Sequence, residues 1–113
     1  MLTVAALKEY GANVEEGMTR CMNNEAFYIR LVGMALEDKG FDRLKEAIEK
    51  NDMDAAFEAA HGLKGVLGNL ALTPVFDPVS EMTELLRAKK EADYSSYVDR
   101  ILTEKEKLVQ LSK

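Results

Sequence analysis

Apolar residues recur every three or four positions along almost the whole chain, and no segment alternates apolar and polar residues with β-branched enrichment. This spacing is typical of amphipathic helices, so we expect an all-α protein. Four apolar stripes are expected to be buried, each against a neighbouring helix: Val14, Met18, Cys21 and Met22; Phe27, Leu31 and Met34; Val75, Val79, Met82 and Leu86; and Tyr94, Tyr97, Val98, Ile101 and Leu108.

Capping residues predict where several helices begin and end. Thr3 is expected to cap a short first helix that stops near Gly11, and an asparagine at position 23 or 24 is expected to open the next one. The Asn51-Asp52 pair predicts a turn and a cap for a helix that runs to about Ala71.

The segment 24–50 is interpreted as one long helix. Gly40 interrupts it, but Phe41 and Ile48 keep the phase of the Phe27 stripe to within roughly 60° at ~100° per residue. We therefore expect at most a kink in this helix.

Prolines mark the next helix, and a last helix is expected over about 92 to 112. Thr73 is expected to act as a cap with Pro74 at the first helical position, where the missing N–H is harmless. Pro78, one turn later, is expected to bend or restart the helix.

Long helices with short connections pack most readily as an antiparallel bundle. We therefore predict one domain over residues 1–113, with a four-helix bundle over 24–112 and a helical cap over 3–22 at one end. A chain of 113 residues buries a real core but is too short for a catalytic domain plus a nucleotide-binding domain.

Charge and cysteine content limit the expected partners and location. The net charge is −5 and basic residues are interleaved with acidic ones, which argues against nucleic acid as a partner. Cys21 is alone, which excludes an intrachain disulfide and a thiolate zinc cluster and fits a cytoplasmic protein. No stretch approaches the ~20 apolar residues of a membrane span, and the N-terminus lacks a secretory pattern. Because the chain begins with methionine, we expect a free-standing protein and not a piece of a larger kinase.

The segment AAHGLKG, residues 59–65, contains the only histidine. At ~100° per residue, the apolar side chains of this helix cluster roughly 140° to 240° away from His61. They are Ala56, Ala59, Leu63, Val66, Leu67 and Leu70. Lys64, Gly65 and Gly68 fall within about 60° of His61, so we expect an outward histidine beside one positive charge.

Glycines inside this helix need an explanation, since each destabilises a helix by ~0.5 to 1 kcal/mol relative to alanine. Close packing of helices explains Gly62 most simply, whereas Gly65 and Gly68 are expected to leave room for another molecule. Phe57, about 40° from His61, has two interpretations. It is partly covered by a neighbouring helix, or it belongs to a small apolar docking surface beside the histidine.

An exposed imidazole in its neutral form is a competent nucleophile toward an activated phosphoryl group, and a nearby ammonium stabilises the added charge. The chain has no glycine-rich loop of the kind that cradles a nucleotide. We therefore expect another protein to be the phosphoryl donor, no ATP-dependent kinase activity, no cofactor and no bound metal.

The run AHGLKGVLGNLA, residues 60–71, resembles the signature of histidine-containing phosphotransfer (Hpt) domains: histidine, lysine at +3, glycine at +4 and a small residue at +7. The preceding FYIRLVGMALED and LKEAIEKNDMDAAFEAAH resemble the family as well, so the likeness covers about residues 24–90. Two positions depart from the common pattern. Ala71 stands where many members have glycine, and Thr83 stands near where many have a glutamate.

The resemblance implies a four-helix bundle whose histidine is phosphorylated on its outer ring nitrogen. It implies exchange of the phosphoryl group with receiver aspartates of response regulators, in a phosphorelay that also includes a hybrid histidine kinase as a candidate partner. By position, His61 becomes the phosphorylation site, Lys64 the phosphate-stabilising charge, and Gly65 the gap that admits the receiver. We place Gly68 and Phe57 on the same docking face and expect a monomer.

Two alternatives come from other classes of protein. Glu58 and His61 form an E-x-x-H pair, as in carboxylate-bridged di-metal bundles, but such bundles need the pair twice and facing inward. The second alternative is a helical interaction module in which His61 has no chemical role. Metal content tests the first alternative, and acid-labile phosphorylation tests the second.

Overall fold

The computed structural model describes all 113 residues and contains helices and turns only. The helices are α1 (Val4–Tyr10), α2 (Val14–Arg20), α3 (Glu25–Leu36), α4 (Gly40–Glu49), α5 (Met53–Asn69), α6 (Thr73–Arg87) and α7 (Tyr94–Leu111). The prediction of an all-α protein is confirmed. None of the seven helices has the combination of length and apolar character needed to cross a membrane.

Helices α4 to α7 form the four-helix bundle. The closest packing is between α5 and α6, α4 lies against the other side of α5, and α7 closes the bundle against α6 and α4. Fully buried side chains from all four helices meet in one core: Phe41, Leu44, Leu63, Leu67, Val75, Met82, Ile101 and Leu108. The prediction of a four-helix bundle is confirmed, but its first helix begins at Gly40 and not at residue 24.

The N-terminal helices cover the end of the bundle where α5 turns into α6. The Asn13 amide donates to the Ala71 carbonyl at 2.9 Å, and the Arg20 guanidinium donates to the Gly68 carbonyl. The hydroxyl of Tyr28, on α3, donates to the buried Leu70 carbonyl at 2.9 Å. These bonds tie α2, α3 and the loop before α2 to carbonyls at and just after the end of α5.

The predicted helix starts hold where a side chain caps the helix. Thr3, Asn24 and Asp52 each accept a hydrogen bond from the amide three residues further on, at 3.0 to 3.1 Å. Gly11 ends α1 with φ 115°, a left-handed conformation that glycine adopts without steric strain. Local capping chemistry therefore determines these boundaries.

The prediction of one helix over residues 24–50 is wrong, because α3 ends at Leu36 and α4 begins at Gly40. The Asp38 carboxylate accepts a hydrogen bond from the Gly40 amide at 2.6 Å, and such a local bond competes with helix continuation. Gly40 is also buried, and a Cβ there would lie 3.0 Å from the Leu63 side chain. The glycine thus allows the start of α4 to approach α5 closely.

The predicted buried stripe of α3 is also wrong. Phe27 is 41% exposed and Met34 is 57% exposed, and Met22 of the first stripe is largely exposed as well. The buried side chains of α3 are instead Tyr28, Val32, Ala35 and Leu36. The third stripe is fully buried as predicted, and so is the fourth except for the half-buried Tyr97.

The two prolines of α6 lie in its first turn and in its interior. The helix begins at Thr73 and not after it, with Leu72 at the N-cap and Pro74 in the first turn. Pro78 is buried inside a helix that continues to Arg87, so it does not restart the helix.

Candidate functional site

Helix α5 directs His61 away from the core. Its buried residues are Ala56, Ala60, Leu63 and Leu67, whereas His61 is exposed. The predicted buried face is largely confirmed, with Ala59 and Val66 only half-buried. Because a helix places its apolar stripe and its opposite face about half a turn apart, burial of this stripe fixes the outward position of the histidine.

Phe57 lies one turn before His61, and the two rings stack. Their centroids are 5.6 Å apart with 13° between the planes, and the Arg87 guanidinium lies 5.1 Å from the centre of the Phe57 ring. Phe57 is half-buried and packs against the core, so the interpretation of partial cover by a neighbouring helix describes it. The stack also restricts the orientation of the imidazole.

Lys64 is held by a carboxylate from the neighbouring helix. Its ammonium lies 3.1 Å from one oxygen of Glu84, and the other oxygen of Glu84 lies 3.3 Å from Nε of Arg87. The hydrogen bond from Lys64 and the positive charges of Lys64 and Arg87 lower the pKa of Glu84 below its usual range. Two cations and one anion therefore lie along the α5–α6 surface that carries His61.

The three glycines of α5 differ in their surroundings. A Cβ at Gly62 or at Gly65 would meet no atom within 4 Å, so neither glycine is explained by internal packing. A Cβ at Gly68 would lie 2.9 Å from the Phe76 ring, so Gly68 makes room for a side chain of α6. The predictions for Gly62 and Gly68 are therefore wrong, because Gly68 packs against another helix and Gly62 faces open space. Gly65 faces open space as expected.

The two departures from the common Hpt pattern have structural counterparts. Thr83 is fully buried and its hydroxyl donates to the Val79 carbonyl at 2.7 Å, so it faces the core and not the histidine. Ala71 adopts φ 54°, a left-handed conformation that glycine adopts with less strain than alanine.

The inward E-x-x-H pair required by a di-metal bundle is not formed. Glu58 and His61 are both exposed on the outer face of α5. No three histidine, cysteine, aspartate or glutamate side chains lie together in an arrangement suited to a metal ion.

Sequence reasoning missed Glu84 and Arg87. Their i, i+3 spacing identifies a surface acid–base pair on α6, but the sequence does not show that this pair faces Lys64 and Phe57 across the helix interface. That juxtaposition depends on how α6 packs on α5.

A family model described as the Hpt domain matches residues 34–111, more than half of the chain. The chain belongs to the Hpt domain family. Hpt domains function in histidine phosphotransfer in two-component signalling, as phosphocarriers and not as kinases, and they interact there with receiver domains and kinases. The matched segment contains all of α4 to α7, including His61 and Lys64. No curated protein and no solved structure gives a significant match to this Hpt protein.

Proposed function

We propose that this Hpt protein is a phosphorelay carrier in which His61 accepts a phosphoryl group from one receiver domain and passes it to another. One observation supports this most directly. The only histidine of the chain is exposed on α5 within the matched segment, with a lysine one turn away and an open glycine beside it.

The reaction at His61 exchanges one phosphorus bond for another. The lone pair of the unprotonated ring nitrogen attacks the phosphorus of an aspartyl phosphate, a P–N bond forms, and the P–O bond to the carboxylate breaks. The aspartate leaves as a carboxylate, and the reverse reaction delivers the phosphoryl group to a second receiver. The divalent metal that assists this transfer belongs to the receiver in our proposal.

The neighbouring residues have distinct proposed roles. Lys64 balances part of the phosphoryl charge, because an ammonium near a phosphate oxygen forms a charge-assisted hydrogen bond. Gly65 leaves α5 without a side chain where the receiver approaches, and Phe57 orients the imidazole by stacking on it. Gly68 is not included in the docking face, since it packs against Phe76.

The further partners and the cellular setting remain predictions from the sequence. We propose receiver domains as both donor and acceptor, with a hybrid histidine kinase as the source of the phosphoryl group. A cytoplasmic monomer is the expected form.

The proposal is tested by mixing the protein with a panel of phosphorylated receiver domains from the same genome. We expect acid-labile, alkali-stable phosphate on the wild-type protein and none on His61→Gln, which should fold normally because His61 is exposed. Circular dichroism and thermal unfolding verify the fold of the variant.

A second incubation, with labelled ATP and magnesium alone, should leave the wild-type protein unlabelled. Stable labelling there would identify a kinase and not a carrier. Acid-labile phosphate on the His61→Gln variant after incubation with a receiver would show that another residue is the acceptor.

A further inference from the structure

Glu84 is the only carboxylate that the structure pairs with Lys64, and it holds Arg87 at the same time. We propose that Glu84 is a positioning residue that competes with the phosphoryl group for Lys64, so that the phosphate on His61 is held weakly enough to be passed on. This inference rests on the proposed function, because it assigns a role in the exchange at His61.

Lys64 is the cation for which Glu84 and the phosphoryl group would compete. One oxygen of Glu84 is 3.1 Å from the lysine ammonium, and the other is 3.3 Å from Nε of Arg87. The Lys64 side chain is 32% exposed, whereas those of Glu84 and Arg87 are about half exposed. An ion pair with this exposure is weak, so Lys64 can exchange one anionic partner for another.

Charge gives the direction of the effect. A phosphoryl group brings roughly two negative charges at neutral pH. For Lys64 to bind it, the hydrogen bond to Glu84 must be broken or shared, so each anion weakens the binding of the other to Lys64. Glu84 also restricts the motion of Lys64 before phosphorylation, but an ion pair as weak as this one restricts it little. Competition for Lys64 is therefore the larger effect of Glu84, and loss of the carboxylate should strengthen the binding of Lys64 to the phosphoryl group.

The interaction between Lys64 and the phosphoryl group on His61 can be measured without a receiver domain. Phosphoramidate transfers its phosphoryl group to histidine, with formation of a P–N bond to the ring and release of ammonia. Phosphorus NMR then follows the protonation of the phosphorylated imidazole ring as pH is varied, in the range where the P–N bond is stable. A cation bound to the phosphoryl oxygens offsets the negative charge that stabilises the protonated ring, and so moves the midpoint of the titration to lower pH.

We expect Glu84→Gln to lower this midpoint by about 0.5 to 1 pH unit, an effect of about threefold to tenfold. In an exchange with a phosphorylated receiver, the same variant should shift the equilibrium toward phosphorylated His61 by a similar factor. The effect should disappear in a Lys64→Ala background, because the carboxylate is proposed to act through Lys64.

Glu81→Gln is the matched control. Glu81 lies on the same helix with similar exposure and pairs at 3.7 Å with Arg100, on α7 and not on α5. It should leave the midpoint and the equilibrium unchanged.

The inference is overturned if Glu84→Gln behaves like Glu81→Gln, if the midpoint rises, or if the shift persists in the Lys64→Ala background. Failure of the proposed function has a different signature. In that case, no receiver phosphorylates the wild-type protein, while phosphoramidate still labels His61 and the comparison of midpoints remains measurable.

Discussion

Replacing Gly65 separates the stability of α5 from its access to a partner. Gly65 is an exposed interior residue of α5, and a Cβ there would meet no atom within 4 Å. Alanine or glutamine therefore fits without displacing any neighbour. Either residue restricts the unfolded chain and favours the helix, so both variants should be more stable than the wild type.

The size of the stability gain follows from helix propensity. Substitution of an interior glycine by alanine contributes about 0.5 to 1 kcal/mol, and substitution by glutamine contributes somewhat less. For a domain of this size, such a gain raises the melting temperature by about 2 to 4 °C. The effect on transfer should be opposite in sign. A glutamine side chain on the proposed docking face should slow transfer from a phosphorylated receiver by at least about tenfold, equivalent to about 1.4 kcal/mol.

Two further glycines provide controls. Gly33 lies inside α3, which packs against α2 and α7, and a Cβ there would also meet nothing within 4 Å. Gly33→Ala should raise the melting temperature like Gly65→Ala and leave transfer unchanged. Gly68→Ala should gain little stability or lose some, because its Cβ would lie 2.9 Å from the Phe76 ring.

The assays are thermal unfolding by circular dichroism and the rate of phosphoryl transfer from one receiver under single-turnover conditions. If Gly65→Gln is destabilised while transfer continues at the wild-type rate, the glycine serves internal packing. The docking face would then lie elsewhere on the molecule.

Two other changes test separate parts of the structure. Lys64→Ala should slow transfer to His61 by about threefold to tenfold with little change in stability, because the ammonium is partly exposed and already paired with Glu84. An unchanged transfer rate in stopped-flow or gel assays would show that Lys64 does not take part in the transfer. Tyr28→Phe should lower the free energy of unfolding by about 1 to 2 kcal/mol at neutral pH, because the buried Leu70 carbonyl loses its donor. Burial raises the pKa of Tyr28 to about 12, whereas the pKa of a tyrosine in the unfolded chain is about 10. The protonated hydroxyl therefore contributes its full stabilisation of the native state below about pH 10, and this stabilisation is lost as pH rises toward about 12. Denaturant unfolding should therefore show that the difference in free energy of unfolding between wild type and Tyr28→Phe becomes smaller from about pH 10 to about pH 12. A difference that stays constant over this range would contradict the effect of burial on the pKa of Tyr28.

The α3 helix shows why part of the fold could not be predicted from the sequence. Apolar side chains lie on nearly all sides of this helix, so the periodicity does not distinguish the Phe27 and Met34 side from the Tyr28 and Val32 side. The choice depends on contacts with α2 and α7 and on the hydrogen bond from Tyr28 to the Leu70 carbonyl at the end of α5. In α5, by contrast, the apolar side chains form a single stripe, so the sequence indicates which face of the helix is buried.

The candidate site also has a part that could be predicted from the sequence and a part that could not. The positions of His61, Lys64 and Gly65 relative to one another were predictable, because residues on one helix keep a fixed angular spacing. The stack of Phe57 on His61 follows from their i, i+4 spacing for the same reason. The role of Gly68 was not predictable, since it depends on where α6 places Phe76.

The sequence by itself determined the all-α class, most helix boundaries and the outward face of α5, because capping bonds and helical periodicity act between residues close in the chain. The tertiary structure alone decided which side of α3 is buried, and it brought Glu84 and Arg87 beside Lys64 and Phe57. These contacts join residues about 20 or more positions apart, and they exist only once the packing of α5 against α6 fixes the distance and rotation of the two helices.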